Sequence, residues 1–233
     1  MEGLLLVDKP AGWTSFDVVK YVRGVVSRAS SQPQKRVKVG HSGTLDPFAT
    51  GLLILLVGKT YTSRSEQMLK QDKSYKARLE FGQTSTTGDP EGELHDSNPN
   101  ALKPSLDELL KVLASFKGNI MQTPPSFSAI KVNGVRSYKL ARQNAAVELK
   151  ARAVNIKSLE LISYAYPQAE IETNVSSGTY IRALVQDIGS ALGVGAYTKE
   201  LRRLSIGSYS IDQAKQIEQI NEQTIGSLLI TQN

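Results

Sequence analysis

The sequence predicts an α+β fold, a mixed and largely antiparallel sheet flanked by helices. Three observations carry that expectation: strand-like segments outnumber helical ones, several neighbouring strands are joined by short turns, and no repeat or low-complexity linker interrupts them. The segments follow in order. Leu4–Val7 reads as a short strand ending at the Pro10-Ala11-Gly12 turn. Thr14 or Ser15 then caps a helix whose Val18, Val19, Val22, Val25 and Val26 recur at helical spacing. Residues 27–38 are polar and basic, an exposed connection. Val37–Val39 and Leu52–Val57 read as strands around a glycine-rich loop, the second apolar enough to be buried on both faces.

Tyr75, Ala77, Leu79 and Phe81 alternate with polar residues, the signature of a half-buried strand. Residues 83–100 carry turn formers and acids and read as a solvent loop. Ser105 to Glu108 forms a capping box that opens a helix to about Phe116. Asn133-Gly134 suits a tight hairpin. Strands over residues 153–163 and 168–176 precede a helix from Ile181 to Leu192. A last strand near residues 202–211 leads into a short apolar tail helix. The 22 residues after Ile211 are too few for a second domain, so residues 1–233 are read as one domain.

Composition narrows the function. The chain has no Cys and two His, His41 and His95, which excludes a thiolate metal site and leaves little for a histidine centre. No apolar run approaches the roughly 20 residues of a membrane span, and the start lacks a signal peptide's features, so a cytoplasmic protein is expected. The net charge is +6 and unevenly spread. Residues 1–78 hold 13 Lys+Arg against 6 acids, residues 79–122 hold 3 against 7, and residues 123–233 hold 12 against 9. Two basic segments around an acidic one suit a phosphate-bearing partner or a scattered solvated surface equally well.

Three segments can carry chemistry. In Gly40-His41-Ser42-Gly43-Thr44-Leu45-Asp46-Pro47-Phe48-Ala49-Thr50-Gly51, the glycines allow sharp turns and Pro47 restricts Asp46. Asp46 is there either a turn former bonding its own backbone or a carboxylate poised as nucleophile or base. In Lys73-Ser74-Tyr75-Lys76-Ala77, Tyr75 is either a strand aromatic or a platform for a base between two phosphate-binding lysines. In Ser177-Gly178-Thr179-Tyr180-Ile181-Arg182, the arginine opens a helix, where it can meet a carboxylate or phosphate. Gly58-Lys59-Thr60 imitates the end of a P-loop, but the bulky run Leu53–Val57 before it cannot cradle a phosphate.

Together these segments resemble the tRNA pseudouridine-55 synthases of the TruB family. The resemblance rests on GLLLVDKPAGWTSFDVV, GHSGTLDPFATG, KSYKA, QTPPSFSAIKVNGVRSYKLAR and SSGTYIRALVQDIGSALG…LRRLSIG, in order from Gly3 to Gly207. It implies the pseudouridine synthase fold and isomerisation of a T-loop uridine by base flipping, with no metal and no organic cofactor. The implied partner is tRNA, met by a monomer with no membrane. By the same resemblance Asp46 is the catalytic carboxylate, paired with Arg182. Tyr75 stacks on the target base and is a candidate to assist loss of its carbon-5 proton. Tyr180 and Leu201 line the uridine pocket, and His41 contacts the flipped nucleotide. Lys9, Lys131, Arg136, Arg142, Arg202 and Arg203 are candidate phosphate contacts.

The chain departs from the family pattern at Ser42 for Thr, Phe127 for Tyr and Thr62 for Lys. It also stops before the PUA-type domain with which many members continue, which predicts weaker tRNA affinity and steep salt dependence. A non-catalytic RNA binder on the same fold, or a synthase for another RNA, are the competing readings. A pure binder would have no chemical need for Asp46, Tyr75 and Arg182 together.

Overall fold

The computed structural model describes residues 1–30, 37–98, 100–128, 130–132, 134–137, 140 and 149–231. Its first elements are β1 (Gly3–Lys9), α1 (Ser15–Ala29), β2 (Val39–His41), β3 (Thr50–Val57), α2 (Lys59–Thr62), α3 (Ser65–Leu69) and β4 (Lys73–Phe81). There follow β5 (Gln83–Ser85), β6 (Leu94–Asp96), α4 (Leu106–Ser115), β7 (Gly118–Gln122), β8 (Lys131–Val132), β9 (Val135–Arg136), β10 (Arg152–Ala165) and β11 (Gln168–Val175). The chain closes with α5 (Ile181–Ala191), β12 (Ala196–Ile206), β13 (Tyr209–Ser210), β14 (Lys215–Gln216) and α6 (Ile225–Leu228). It divides into two compact units, residues 1–73 with 202–233 and residues 74–201, and both divisions fall inside strands, β4 and β12. Among the described residues no helix is long and apolar enough to cross a membrane.

In the first unit the strand order is β14-β1-β3-β12. β3 is buried from Leu52 to Val57, as an apolar run between two covered faces requires. On one face Leu52, Ile54 and Leu56 pack with Leu4, Leu6, Tyr61 and Ile206. Each such buried side chain contributes about 1.5–3 kcal/mol relative to exposure. β1 covers one edge of β3 along its whole length, from Gly3 opposite Val57 to Lys9 opposite Gly51. Two strands share the other edge. β12 pairs in parallel at its start, with Arg202 opposite Thr50 and Arg203 opposite Gly51. β2 pairs antiparallel at its end, from Val39 opposite Val57 to His41 opposite Leu55. The glycine-rich loop leaves from the gap between them.

In the second unit the order is β12-β4-β11-β10-β7. β4 alternates buried and half-buried along its length, as its sequence predicts. Among the described ladders only β1–β14 and β3–β12 are parallel, which agrees with a largely antiparallel sheet. Thr14 and Ser105 both form capping boxes, with Asp17 and Glu108 returning the hydrogen bond. The β8–β9 hairpin turns at Gly134, whose φ of 83° favours glycine.

Three expectations are corrected. α1 continues through Ala29, so the connection after it is shorter than residues 27–38. β12 starts at Ala196 rather than near residue 202. Lys199 and Glu200 look like a break in the pattern, but they form cross-strand ion pairs with Glu80 and Arg78 on β4. Within residues 83–100 lie a small β5–β6 hairpin and a buried carboxylate, Asp89.

Lys73, read as one of two phosphate-binding lysines, is buried. Its Nζ donates to the carbonyls of Leu69 and Gln71. Burial, then the charge of Arg203, push its pKa down to about 8, against a smaller opposite effect of Asp72. The folded protein therefore loses this proton before the unfolded chain does, and the contribution of Lys73 to stability rises with pH from about 8 towards the ordinary lysine value. Lys73→Met removes that rise, so its Tm relative to the parent should fall as pH goes from about 7 to about 10. A pH-independent difference would refute the assignment. Gly51, at φ 103°, lies where a Cβ would sit 2.3 Å from the Arg203 carbonyl oxygen. Gly51→Ala should cost roughly 2–4 kcal/mol, read as a lower urea midpoint.

Candidate active site

Asp46 sits in a loop of the first unit whose main chain is held on every side. Immediately before it, the Leu45 amide donates to Ser15 Oγ at 2.8 Å and Ser15 Oγ donates to the Leu45 carbonyl at 3.1 Å. Immediately after it, the Pro47 carbonyl accepts from the Gly12 amide at 2.9 Å and from Lys9 Nζ at 3.2 Å. The Ala49 amide donates to the carbonyl of Asp46 itself at 3.2 Å, closing a tight turn. The main chain at Asp46-Pro47 is therefore a tight turn. Upstream, the Ser42 amide donates to the Ile54 carbonyl at 3.0 Å, and Arg203 Nη2 donates to the Gly43 carbonyl at 3.2 Å. His41 Nδ1 accepts from the Gly43 amide, which leaves the neutral ring's proton on Nε2. Ser42 is fully buried, and its Oγ has no hydrogen-bond partner among the described residues.

The second unit holds Tyr75, Tyr180, Arg182 and Leu201. Arg182, in the first turn of α5, is 4% exposed, far from the surface residue that an arginine at a helix start usually is. Its Nη1 donates to the Thr87 carbonyl at 2.7 Å and pairs with Asp89 Oδ2 at 2.8 Å, while Nη2 donates to the Phe127 carbonyl at 2.8 Å. Because Phe127 contributes its main chain, the missing tyrosine hydroxyl leaves that contact intact. Asp89 is the buried partner of Arg182 that sequence reasoning missed. Its Oδ1 accepts from Thr87 Oγ1 and from the Glu91 amide, so both oxygens are satisfied in the interior. Its signal in the sequence is weak, an acid in the turn-rich stretch Thr86-Thr87-Gly88-Asp89-Pro90.

Tyr180 precedes α5 and is fixed by Gln122, whose Oε1 accepts from the Tyr180 amide at 2.8 Å and whose Nε2 donates to its carbonyl at 3.0 Å. Tyr75 and Leu201 are each 7% exposed and lie on neighbouring strands, β4 and β12. Beside Arg182 a polar cleft of about 280 Å³ opens between Thr86, Thr123, Ser126, Gln186 and Asp187, and burial raises the pKa of Asp187. Asp46 and His41 thus belong to the first unit and the other four predicted site residues to the second.

Of the candidate phosphate contacts, two are structural. Lys9 is fully buried and donates to the Pro10, Trp13 and Pro47 carbonyls, and Arg203 is 1% exposed. Arg202 forms a two-pronged pair with Asp8, at 3.1 Å and 2.7 Å. Lys76 is paired with Glu170 at 2.8 Å. Lys131 and Arg136 lie opposite each other on the β8–β9 ladder, and Arg142 lies outside the described residues.

A family model for the TruB family pseudouridylate synthase N-terminal domain matches residues 31–181, and one for the tRNA pseudouridylate synthase B C-terminal domain matches residues 182–227. The tRNA pseudouridine synthase B of Chlamydia trachomatis serovar L2 is 42% identical over 91% of this chain and 84% of its own length. That of Aquifex aeolicus is 43% identical over 94% and 73%. Among solved structures, a Cbf5-Nop10-Gar1 complex gives a TM-score of 0.67 at 25% identity, covering 93% of this chain and 53% of the other. An H/ACA RNP bound to a substrate RNA containing 2'-deoxyuridine gives 0.66 at 24% identity, a likeness of fold, and this chain spans about half of that one too (51%). With both family models matched end to end and relatives this similar over most of its length, the chain belongs to the TruB family of pseudouridylate synthases.

Proposed function

We propose that the protein isomerises the T-loop uridine at position 55 of tRNA to pseudouridine, with Asp46 as the catalytic carboxylate, acting as a cytoplasmic monomer without metal or cofactor. The relatives named tRNA pseudouridine synthase B support the substrate. The observation that carries the Asp46 assignment is the bracing of the main chain on both sides of it, by Ser15 at Leu45 and by Lys9 at Pro47. A surface turn has no use for a buried ammonium and a buried hydroxyl spent on holding it. A carboxylate that must meet one sugar atom does.

The reaction is an isomerisation, so it balances without a co-reactant. The bond from N1 of the base to C1′ breaks, the detached base turns, a bond from C5 to C1′ forms, and the proton lost from C5 is matched by one gained at N1. Ionised Asp46 begins it, either by attacking C1′, in an ester bond that breaks as the C5 bond forms, or by removing the proton at C2′, which is returned as the C5 bond forms. In this reading Arg182 is the cation that favours the ionised form, and its orientation is supported by the three-sided anchorage at Thr87, Asp89 and Phe127. Tyr75 stacks on the base, Tyr180 and Leu201 line its pocket, and His41 contacts the flipped nucleotide. Extruding the base costs a few kcal/mol, roughly offset by stacking worth about 1–3 kcal/mol per base and by backbone contacts to a bent loop.

The test maps pseudouridine at nucleotide resolution on unmodified tRNA. The parent should convert the T-loop uridine, and Asp46→Asn should convert none while still binding tRNA. Normal turnover by that variant would sink the assignment. Asp89→Asn removes the carboxylate paired with the buried Arg182 guanidinium and should destabilise the fold by about 3–5 kcal/mol. Its turnover, measured at a temperature where it stays folded, should fall while tRNA affinity holds. An Asp89→Asn protein of parental stability would show that the pair carries no such burden.

A further inference from the structure

The charge of Arg203 has no route to RNA. The side chain is 1% exposed, and it donates to two main-chain carbonyls: Nε to Leu52 at 2.7 Å and Nη2 to Gly43 at 3.2 Å. Gly43 lies just inside the start of the loop that carries Asp46, and Leu52 lies in β3 just past its end. Their carbonyls mark the gap on the second edge of β3, where β12 has stopped pairing at Gly51 and β2 begins only at Leu55. An ordinary ladder would satisfy the Leu52 carbonyl with a main-chain amide. Here the guanidinium takes that place and reaches across to Gly43 with its second arm.

Stability does not account for this choice. A buried cation is costly to desolvate, and an apolar residue of similar volume is often as good or better. Arg203 also lies close enough to Lys73 for each charge to disfavour the other. A planar fork holds two carbonyls on separate nitrogens in one fixed plane, whereas an ammonium gathers its acceptors around a single rotatable atom. The backbone of Arg203 is itself pressed against Gly51, so the fork starts from a fixed point.

We infer that Arg203 is a positioning residue for the isomerisation: it ties Gly43, at the start of the Asp46 loop, to Leu52 in β3, just past the loop's end, and so sets where the carboxylate stands. This rests on Asp46 being the catalytic group. The experiment compares the parent with Arg203→Lys and Arg203→Met in single-turnover conversion of tRNA, tRNA affinity across a salt series, and thermal unfolding. The expected result is a loss of rate at saturating tRNA on the order of 10–100-fold in both variants, Lys included. Affinity and its salt slope should stay at the parental values.

A weaker affinity with a salt slope shallower by about 1 would make Arg203 a phosphate contact and overturn the inference. A parental rate per folded molecule would make it purely structural and overturn it equally. Should neither variant fold, phenylglyoxal labelling of the parent decides. Arg203 should resist the reagent with and without tRNA, and labelling that tRNA suppresses would refute the clamp. Failure of the Asp46 reading is seen separately, as turnover by Asp46→Asn.

Discussion

The first unit is organised by a shortage on one side of β3. A fully buried strand must have both edges satisfied, because an unpaired main-chain group in the interior costs about 1–3 kcal/mol. β1 serves the first edge completely. The second is divided between a parallel strand at one end and an antiparallel strand at the other, and no strand serves the middle. The carbonyls left over there, of Leu52 and Ile54, are taken by the Arg203 guanidinium and the Ser42 amide. The Asp46 loop can leave the sheet at this place because side chain and loop amide finish the ladder that strands do not.

This has a consequence for the reading of charge. A basic chain of a nucleic-acid enzyme invites the assignment of its lysines and arginines to phosphate. Yet Lys9, Lys73 and Arg203 are interior struts whose donors end on carbonyls, at Pro10, Trp13 and Pro47, at Leu69 and Gln71, and at Gly43 and Leu52. Lys76, Arg78 and Lys199 face acids on neighbouring strands, where exposed pairs contribute about 0–1 kcal/mol each. Net charge therefore overstates the electrostatic footprint. In the first basic segment Lys9 and Lys73 hold main chain in place rather than face solvent.

What could be read from the sequence follows the same physics. Alternation in Tyr75–Phe81, the apolar run of β3 and the capping boxes at Thr14 and Ser105 are local patterns, and each gave its element. The fold class followed from them. The motifs singled out Asp46 and Arg182 as candidates, because glycine, proline and the strand-to-helix change are written in neighbouring residues. Asp89 was invisible because its burial depends on Arg182, 93 residues away. Lys9 and Arg203 were misread for a related reason, since the carbonyls they satisfy, at Pro10, Trp13 and Pro47 and at Gly43 and Leu52, are brought together only by the fold. The early start of β12 was masked by Lys199-Glu200, a pair whose compatibility with a strand depends on charges supplied by β4.

The two units use the same device with one difference. In each, a guanidinium is buried and fixed by carbonyls: Arg203 by Gly43 and Leu52, Arg182 by Thr87 and Phe127. Arg182 alone among these two has a carboxylate beside it, Asp89. A carboxylate partner offsets the cost of burying the charge and orients the plane further, but it also spends part of the cation's field. Pairing Arg182 with Asp89 and two carbonyls fixes the plane of its guanidinium. For Arg203, whose service is geometric, carbonyls at the right spacing are enough. For Arg182, whose proposed service is electrostatic, a direction must also be fixed, and the carboxylate of Asp89 fixes it.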